Sequence, residues 1–241
     1  MKAQPTIVIT GASQGIGAGL VTRFLERGYN VVATSRKISA STELPQSDRL
    51  LRVDGDIADP ATAAKVVDAA VATFGSVDAL VNNAGIYIAK PFLDITLEDY
   101  RALQTTNVDG FLHMTQRVVR QLLAQGTGGS IVSITSPLAD NPIAGANSAV
   151  AMITKGGIES ASRNLAMEFA GQRIRVNTVA PGIVDTPMHA NSPKDVLATF
   201  SPINGISTVD EIVDAVIFVT EAPRITGESV RVDGGAHLGK W

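Results

Sequence analysis

Apolar and polar positions change period in blocks along the chain. Short β-rich apolar runs occur at 5–10 (P-T-I-V-I-T), 30–35 (N-V-V-A-T-S), 50–54, 77–82 (V-D-A-L-V-N), 130–135 (S-I-V-S-I-T), 173–179 (R-I-R-V-N-T-V) and 228–232. Several are almost continuously apolar, as strands covered on both faces are. Helical spacing between them predicts helices at about 16–27, 60–74, 97–125, 150–170 and 208–220. Strand alternating with helix calls for crossovers, and crossovers make neighbouring strands parallel. The expected fold class is α/β: a doubly wound parallel sheet of about seven strands with helices on both faces. Residues 1–241 show no linker, repeat or low-complexity segment and read as one domain. The Pro/Gly-richer stretches at 137–147 and 181–205 follow expected strands, where sheets of this kind bind ligands.

Composition narrows the function classes. Lys plus Arg number 20 and Asp plus Glu 23, for a net charge of −3, with no basic run to track nucleic-acid phosphates. Cysteine is absent, which removes disulfides, thiolate metal sites and a cysteine nucleophile. No apolar run approaches the roughly 18 residues that cross a bilayer. The start M-K-A-Q-P-T-I-V-I-T-G reaches its glycine too early for the apolar region of a signal peptide. The expectation is a cytoplasmic protein without nucleic-acid or membrane partners.

Residues 10–17, T-G-A-S-Q-G-I-G, leave the first strand and open the first helix. Gly11 and Gly15 let the backbone turn tightly and approach a ligand, and Gly17 lets helix and sheet pack closely. Ser13, Gln14 and Ile16 complete the turn, whose free N–H groups and helix dipole favour phosphate. This is the pyrophosphate cradle of a Rossmann-like fold. The end of the second strand then chooses the dinucleotide. An NAD site places a carboxylate there, but this chain has Ser35-Arg36-Lys37 and no acid from Gly28 to Thr42. A guanidinium pairs with a 2′-phosphate, so NADP(H) is expected over NAD(H).

These segments, with D-I at 56–57, N-N-A-G at 82–85, Asn107, S-I-V-S-I-T-S at 130–136, Lys155, P-G-I-V-D-T-P-M at 181–188 and V-D-G-G at 232–235, resemble the short-chain dehydrogenase/reductase family in order and over essentially the whole chain. The resemblance implies that Asp56 and Ile57 flank the adenine, and that Asn82, Ala84 and Gly85 form a platform beside the cofactor. It implies that Pro181, Gly182, Ile183 and Thr186 hold the nicotinamide, and that Lys155 bonds its ribose. Catalysis would rest on Ser136 at the substrate oxygen, Lys155, and Asn107 holding a water of a proton relay. The family's usual reaction is hydride transfer between NAD(P)H and a carbonyl or alcohol, usually in a homotetramer or dimer.

One part of that pattern is missing. The family's acid/base is a tyrosine four residues before the lysine, and this position is Ala151. Tyr29, Tyr87 and Tyr100 all lie outside the Ser136–Lys155 interval. A positioned general acid contributes about 10²–10⁴-fold, whereas proximity of hydride donor and carbonyl is a separate effect. The expectation is carbonyl reduction with another donor: a water in the space left beside Ser136, Lys155 and Asn107, or a side chain such as Tyr87, Ser148 or His189. Thr135 competes with Ser136 for the oxygen-binding place, as both follow one strand. Tyr87, Phe92, Met188, His189 and Phe200 are candidate walls of an apolar substrate pocket. No His/acid spacing suggests a metal. A cofactor-binding sensor or scaffold, and a non-redox enzyme on the same scaffold, are the alternative functions.

Overall fold

The computed structural model describes residues 4–239. The strands are β1 (Thr6–Thr10), β2 (Asn30–Ser35), β3 (Leu50–Asp54), β4 (Ala79–Asn82), β5 (Gly129–Ile134), β6 (Ile174–Pro181) and β7 (Ser229–Val232). They form one sheet in the order β3-β2-β1-β4-β5-β6-β7, with every neighbouring pair parallel. The order reverses direction between β1 and β4, which opens a crevice at their carboxyl ends.

Alternation along each strand splits the core in two. Ile7 and Ile9 face the same side as Val31, Ala33, Val81, Val132 and Val179. The intervening Val8, Val32, Leu80, Ile131 and Val176 face the other. Helices α1 (Gly15–Glu26) and α7 (Val209–Glu221) cover the first face through Leu20, Phe24, Ile212 and Val216. Helices α2 (Pro60–Phe74) and α4 (Gly110–Gln125) cover the second through Val66, Val67, Met114 and Val118. The ends of these helices follow from local chemistry. Asp59 caps α2 by accepting from Ala61 N, Pro60 starts it, and Gly75 ends it in the left-handed conformation.

The expected helix at 97–125 is three pieces. α3 (Leu97–Leu103) starts with a Thr96/Asp99 capping box, and the chain then widens into a π turn over Gln104–Asp109 before α4. The expected helix at 150–170 is α5 (Ala149–Glu168), followed by a 3-10 turn at Ala170–Gln172. The stretch 181–205 holds a 3-10 turn (Pro187–His189) and a short α6 (Lys194–Ala198).

Candidate active site

The glycine turn is held against the end of β4. A Cβ on Gly11 would stand 2.7 Å from Ala84 Cα, and one on Gly17 only 2.2 Å from Gly11 O. Gly11 also adopts φ +63°, so two demands meet at that residue. Thr10 Oγ1 accepts from Asn83 N and Ala84 N, both at 3.0 Å. Asn83 Nδ2 donates back to Thr10 O at 2.9 Å and Gly11 O at 3.1 Å. Thr10 and Asn83 were not among the expected site residues, although each lies inside a quoted motif. They tie the turn in place.

Helix α1 begins directly from this turn. Gln14 is at its N-cap position, no side chain caps it, and its first turn contains no acid. Its leading N–H groups therefore suit an anionic group that approaches the side-chain-free backbone. Gly15 meets the β6 loop: a Cβ there would lie 3.3 Å from Thr186 Cγ2. Gly182 is held to β7 through Gly182 N to Val232 O at 2.9 Å. Asp233 then closes the C-terminal turn by accepting from Gly235 N and His237 N. The structure thus packs Gly11 against Gly17 and Ala84, Gly15 against Thr186, and Gly85 against Asn107 and Lys155, while Gly182 lies against Asp233. Ser35 lies at the end of β2, followed by the exposed Arg36; Asp56 is exposed and Ile57 is buried against Gly110.

Lys155 stands at the floor of the crevice. Its Nζ donates to Ile134 O at 2.7 Å. A Cβ on Gly85 would lie 3.2 Å from both Lys155 Nζ and Asn107 Oδ1, so only a glycine packs here without crowding these two groups. Removal of water from around the ammonium pushes the Lys155 pKa down to about 8. Below lies a hollow of about 10 Å³ lined by Lys155, Asn107, Asn82 and Ser133. That is close to the smallest space that holds one water.

Ser136 and Thr135 separate cleanly. Thr135 is buried, with Oγ1 directed to Val179 O. Ser136 is partly exposed, and its Oγ accepts from Leu138 N at 3.3 Å. Among the described residues none accepts its hydroxyl hydrogen.

The surroundings of the expected site residues differ. The Asn107 side chain is engaged locally, with Nδ2 donating to Ile86 O and Thr154 Oγ1 and Oδ1 accepting from Ile86 N, and Asn107 also lines the hollow beside Lys155. The Asn82 side chain turns into the layer below, donating to Thr115 Oγ1 at 3.0 Å. Phe92 lies in an outer groove with Ile95, Leu97, Tyr100, Val150 and Ile153, apart from the residues around Lys155. The space at Ala151 is not a polar void. Ala151 is 1% exposed and clusters with Leu103 and Val150, against Ile86, Ile88, Ile95 and Met152. The one-water hollow lies instead beside Lys155 and Asn107. Ser148 offers no substitute, since it is buried with Oγ donating to Ala146 O.

Of the remaining wall residues, Tyr87 is 36% exposed and Met188 60%. His189 and Phe200 are partly buried in the 181–205 segment, and desolvation lowers the His189 pKa. Among the described residues, no group of three His, Asp or Glu side chains is placed to hold a metal, and no helix is long and apolar enough to cross a membrane.

Residues 11–237 match the family model described as enoyl-(acyl carrier protein) reductase. The chain belongs to the short-chain dehydrogenase/reductase family. Among its relatives, a cis-4-hydroxycyclohexanecarboxylate dehydrogenase of Sinomonas cyclohexanicum is 34% identical over 97% of this chain and 96% of that one. An L-xylulose reductase of Mesocricetus auratus is 30% identical over 95% and 94%. A 3-ketoacyl-(acyl-carrier-protein) reductase of Brucella melitensis, solved in complex with NADH, superposes with a TM-score of 0.90 at 31% identity, covering 97% of this chain and 98% of that one. ElxO with NADP bound superposes at 0.87 and 25% identity, covering 97% and 98%.

Proposed function

We propose that this short-chain dehydrogenase/reductase is an NADPH-dependent reductase of small ketones or aldehydes, with Lys155 as the proton source in place of the missing phenol. The observation that carries the reading is the Lys155 ammonium, which lies against Gly85, is held on Ile134 O at 2.7 Å and lines the one-water hollow. The oxidoreductase relatives, and neighbours solved with NADH or NADP, support a nicotinamide dinucleotide as cofactor. Arg36 after β2 supports the phosphorylated form.

The chain's own residues divide the work. The α1 N-terminus and Gly11 receive the pyrophosphate, and Gly182, Ile183 and Thr186 border the nicotinamide. When bound, the reduced cofactor supplies hydride. Ser136 donates its free hydroxyl hydrogen to the substrate carbonyl oxygen. An ammonium has three hydrogens, and Ile134 O takes one from Lys155. Two remain, one for the ribose and one for the oxygen that gains negative charge during reduction. The hollow lined by Lys155 and Asn107 has room for about one water, which can return a proton to the amine. Asn107 acts by fixing Ile86 and Thr154 on either side.

The reading includes a homodimer or tetramer in the cytoplasm. Exposed Phe92, Leu93, Leu97 and Ile153 supply apolar surface for contact between copies. The apolar packing of Ala151 favours one second reading, a cofactor-binding sensor that turns nothing over. NADPH depletion against a diverse ketone and diketone panel separates the two. Consumption of NADPH with formation of alcohol supports the reductase; saturable NADPH binding without consumption across the panel supports the sensor.

A further inference from the structure

The loop after β2 is anchored more firmly than two solvated charges require. Arg36 and Lys37 are exposed, and no ion pair among the described residues involves either. The residues just beyond them are fixed on three sides. Ile38 is fully buried in the core on the α1 face. Ser39 N donates to Asp54 Oδ1 at 2.9 Å, and Ser39 Oγ to Asp54 Oδ2 at 2.6 Å. Ser41 Oγ donates to Ser13 O, inside the glycine turn, at 2.9 Å.

Asp54 is the last residue of β3 and pairs in register with Ser35. A carboxylate at this strand end, beside Arg36, would by charge alone oppose a phosphate. Here Ser39 engages both of its oxygens. Hydrogen bonds from Ser39 also hold the Asp54 carboxyl below its usual range, so it stays ionised and strongly accepting.

We propose that Asp54 and Ser39 form a latch that positions Arg36 for the cofactor 2′-phosphate, so that both select NADPH over NADH without touching it. The proposal rests on the reading of Arg36 as the phosphate ligand. A guanidinium on a free loop loses more freedom when it binds than one already set in place. Releasing the latch should therefore weaken NADPH and leave NADH, which has no phosphate there, unchanged. Charge alone predicts the reverse for Asp54, since removing an anion should tighten NADPH.

The test is direct titration of the whole protein with NADPH and with NADH, alongside thermal melting, for wild type and the Ser39→Ala, Ser39→Thr, Asp54→Ala and Arg36→Ala variants. Wild type should bind NADPH about tenfold or more tighter than NADH, and Arg36→Ala should abolish that preference. Ser39→Ala and Asp54→Ala should each lower the ratio about fivefold through NADPH alone, while Ser39→Thr, which keeps the hydroxyl, retains it. An unchanged or raised ratio in Asp54→Ala, or equal weakening of both dinucleotides, overturns the latch while the Arg36 result leaves the phosphate reading standing. No preference in wild type, with no effect of Arg36→Ala, overturns both.

Discussion

The Asn107 side-chain amide donates to Thr154 Oγ1 at 3.0 Å, joining the π turn to the residue beside Lys155. Thr154 passes the bond on to Ala151 O at 2.7 Å. The widened turn therefore has a mechanical use. It carries a buried amide to where it can hold the Ile86 backbone from one side and α5 from the other. Replacing Asn107 by Ala leaves Ile86 N–H and C=O without these partners. Asn107→Ala should destabilise the fold by roughly 2–4 kcal/mol, read by urea unfolding. Thr154→Val should cost less, because its backbone acceptors keep other partners.

Gly17 makes the closest approach in the glycine turn. With Gly11 O only 2.2 Å from an added Cβ, α1 would have to move away from the turn. Gly17→Ala should cost about 1–3 kcal/mol by thermal or chemical unfolding. It should also weaken NADPH and NADH together in a binding titration, which separates it from substitutions at Arg36.

Ala151 occupies the position where the family resemblance led to the expectation of a tyrosine. A tyrosine there would push a hydroxylated ring into the cluster of Leu103, Val150 and their apolar neighbours. Ala151→Tyr should lose about 1–3 kcal/mol of stability and gain no turnover in an NADPH-depletion assay. A clear rise in rate would mean that the cluster opens for the ring, and that the hydrocarbon packing is not what excludes it.

The parallel order of the sheet and its glycine turn were legible because they rest on local signals. Short β-rich runs, several of them nearly continuous in apolar residues, marked the seven strands, and Gly11, Gly15 and Gly17 sit where backbone geometry demands them. The helix expected at 97–125 was less legible. Its apolar spacing has no Gly or Pro break before Gly110, and the π turn is stabilised from outside by the Asn107 side chain reaching Ile86. The packing around Ala151 was hidden for the same reason: Leu103, Ile86 and Ile95 come from elements distant in sequence. Asn82 and Asn83 show the limit most sharply. Two identical neighbours on a strand end point to opposite sides, and only the register decides that Asn83 ties the glycine turn while Asn82 enters the layer beneath.

Burial of Lys155 also sets a stability profile. The folded pKa of about 8 lies below the ordinary 10.5, so the unfolded chain binds more protons between those values. Stability therefore rises with pH across that window, and the penalty is fully present below it. Relative to Lys155→Met, wild type should gain stability from pH 8 to pH 10, as followed by denaturant midpoints. A constant difference would mean that the amine is not desolvated.

The proton role of Lys155 is tested most directly by the pH dependence of kcat, measured as NADPH oxidation at saturating cofactor with the best ketone of the panel. The account predicts a plateau below pH about 8 and a fall toward tenfold per pH unit above it, as the ammonium that donates the proton is lost. A kcat that stays level from pH 7 to pH 10 would contradict it.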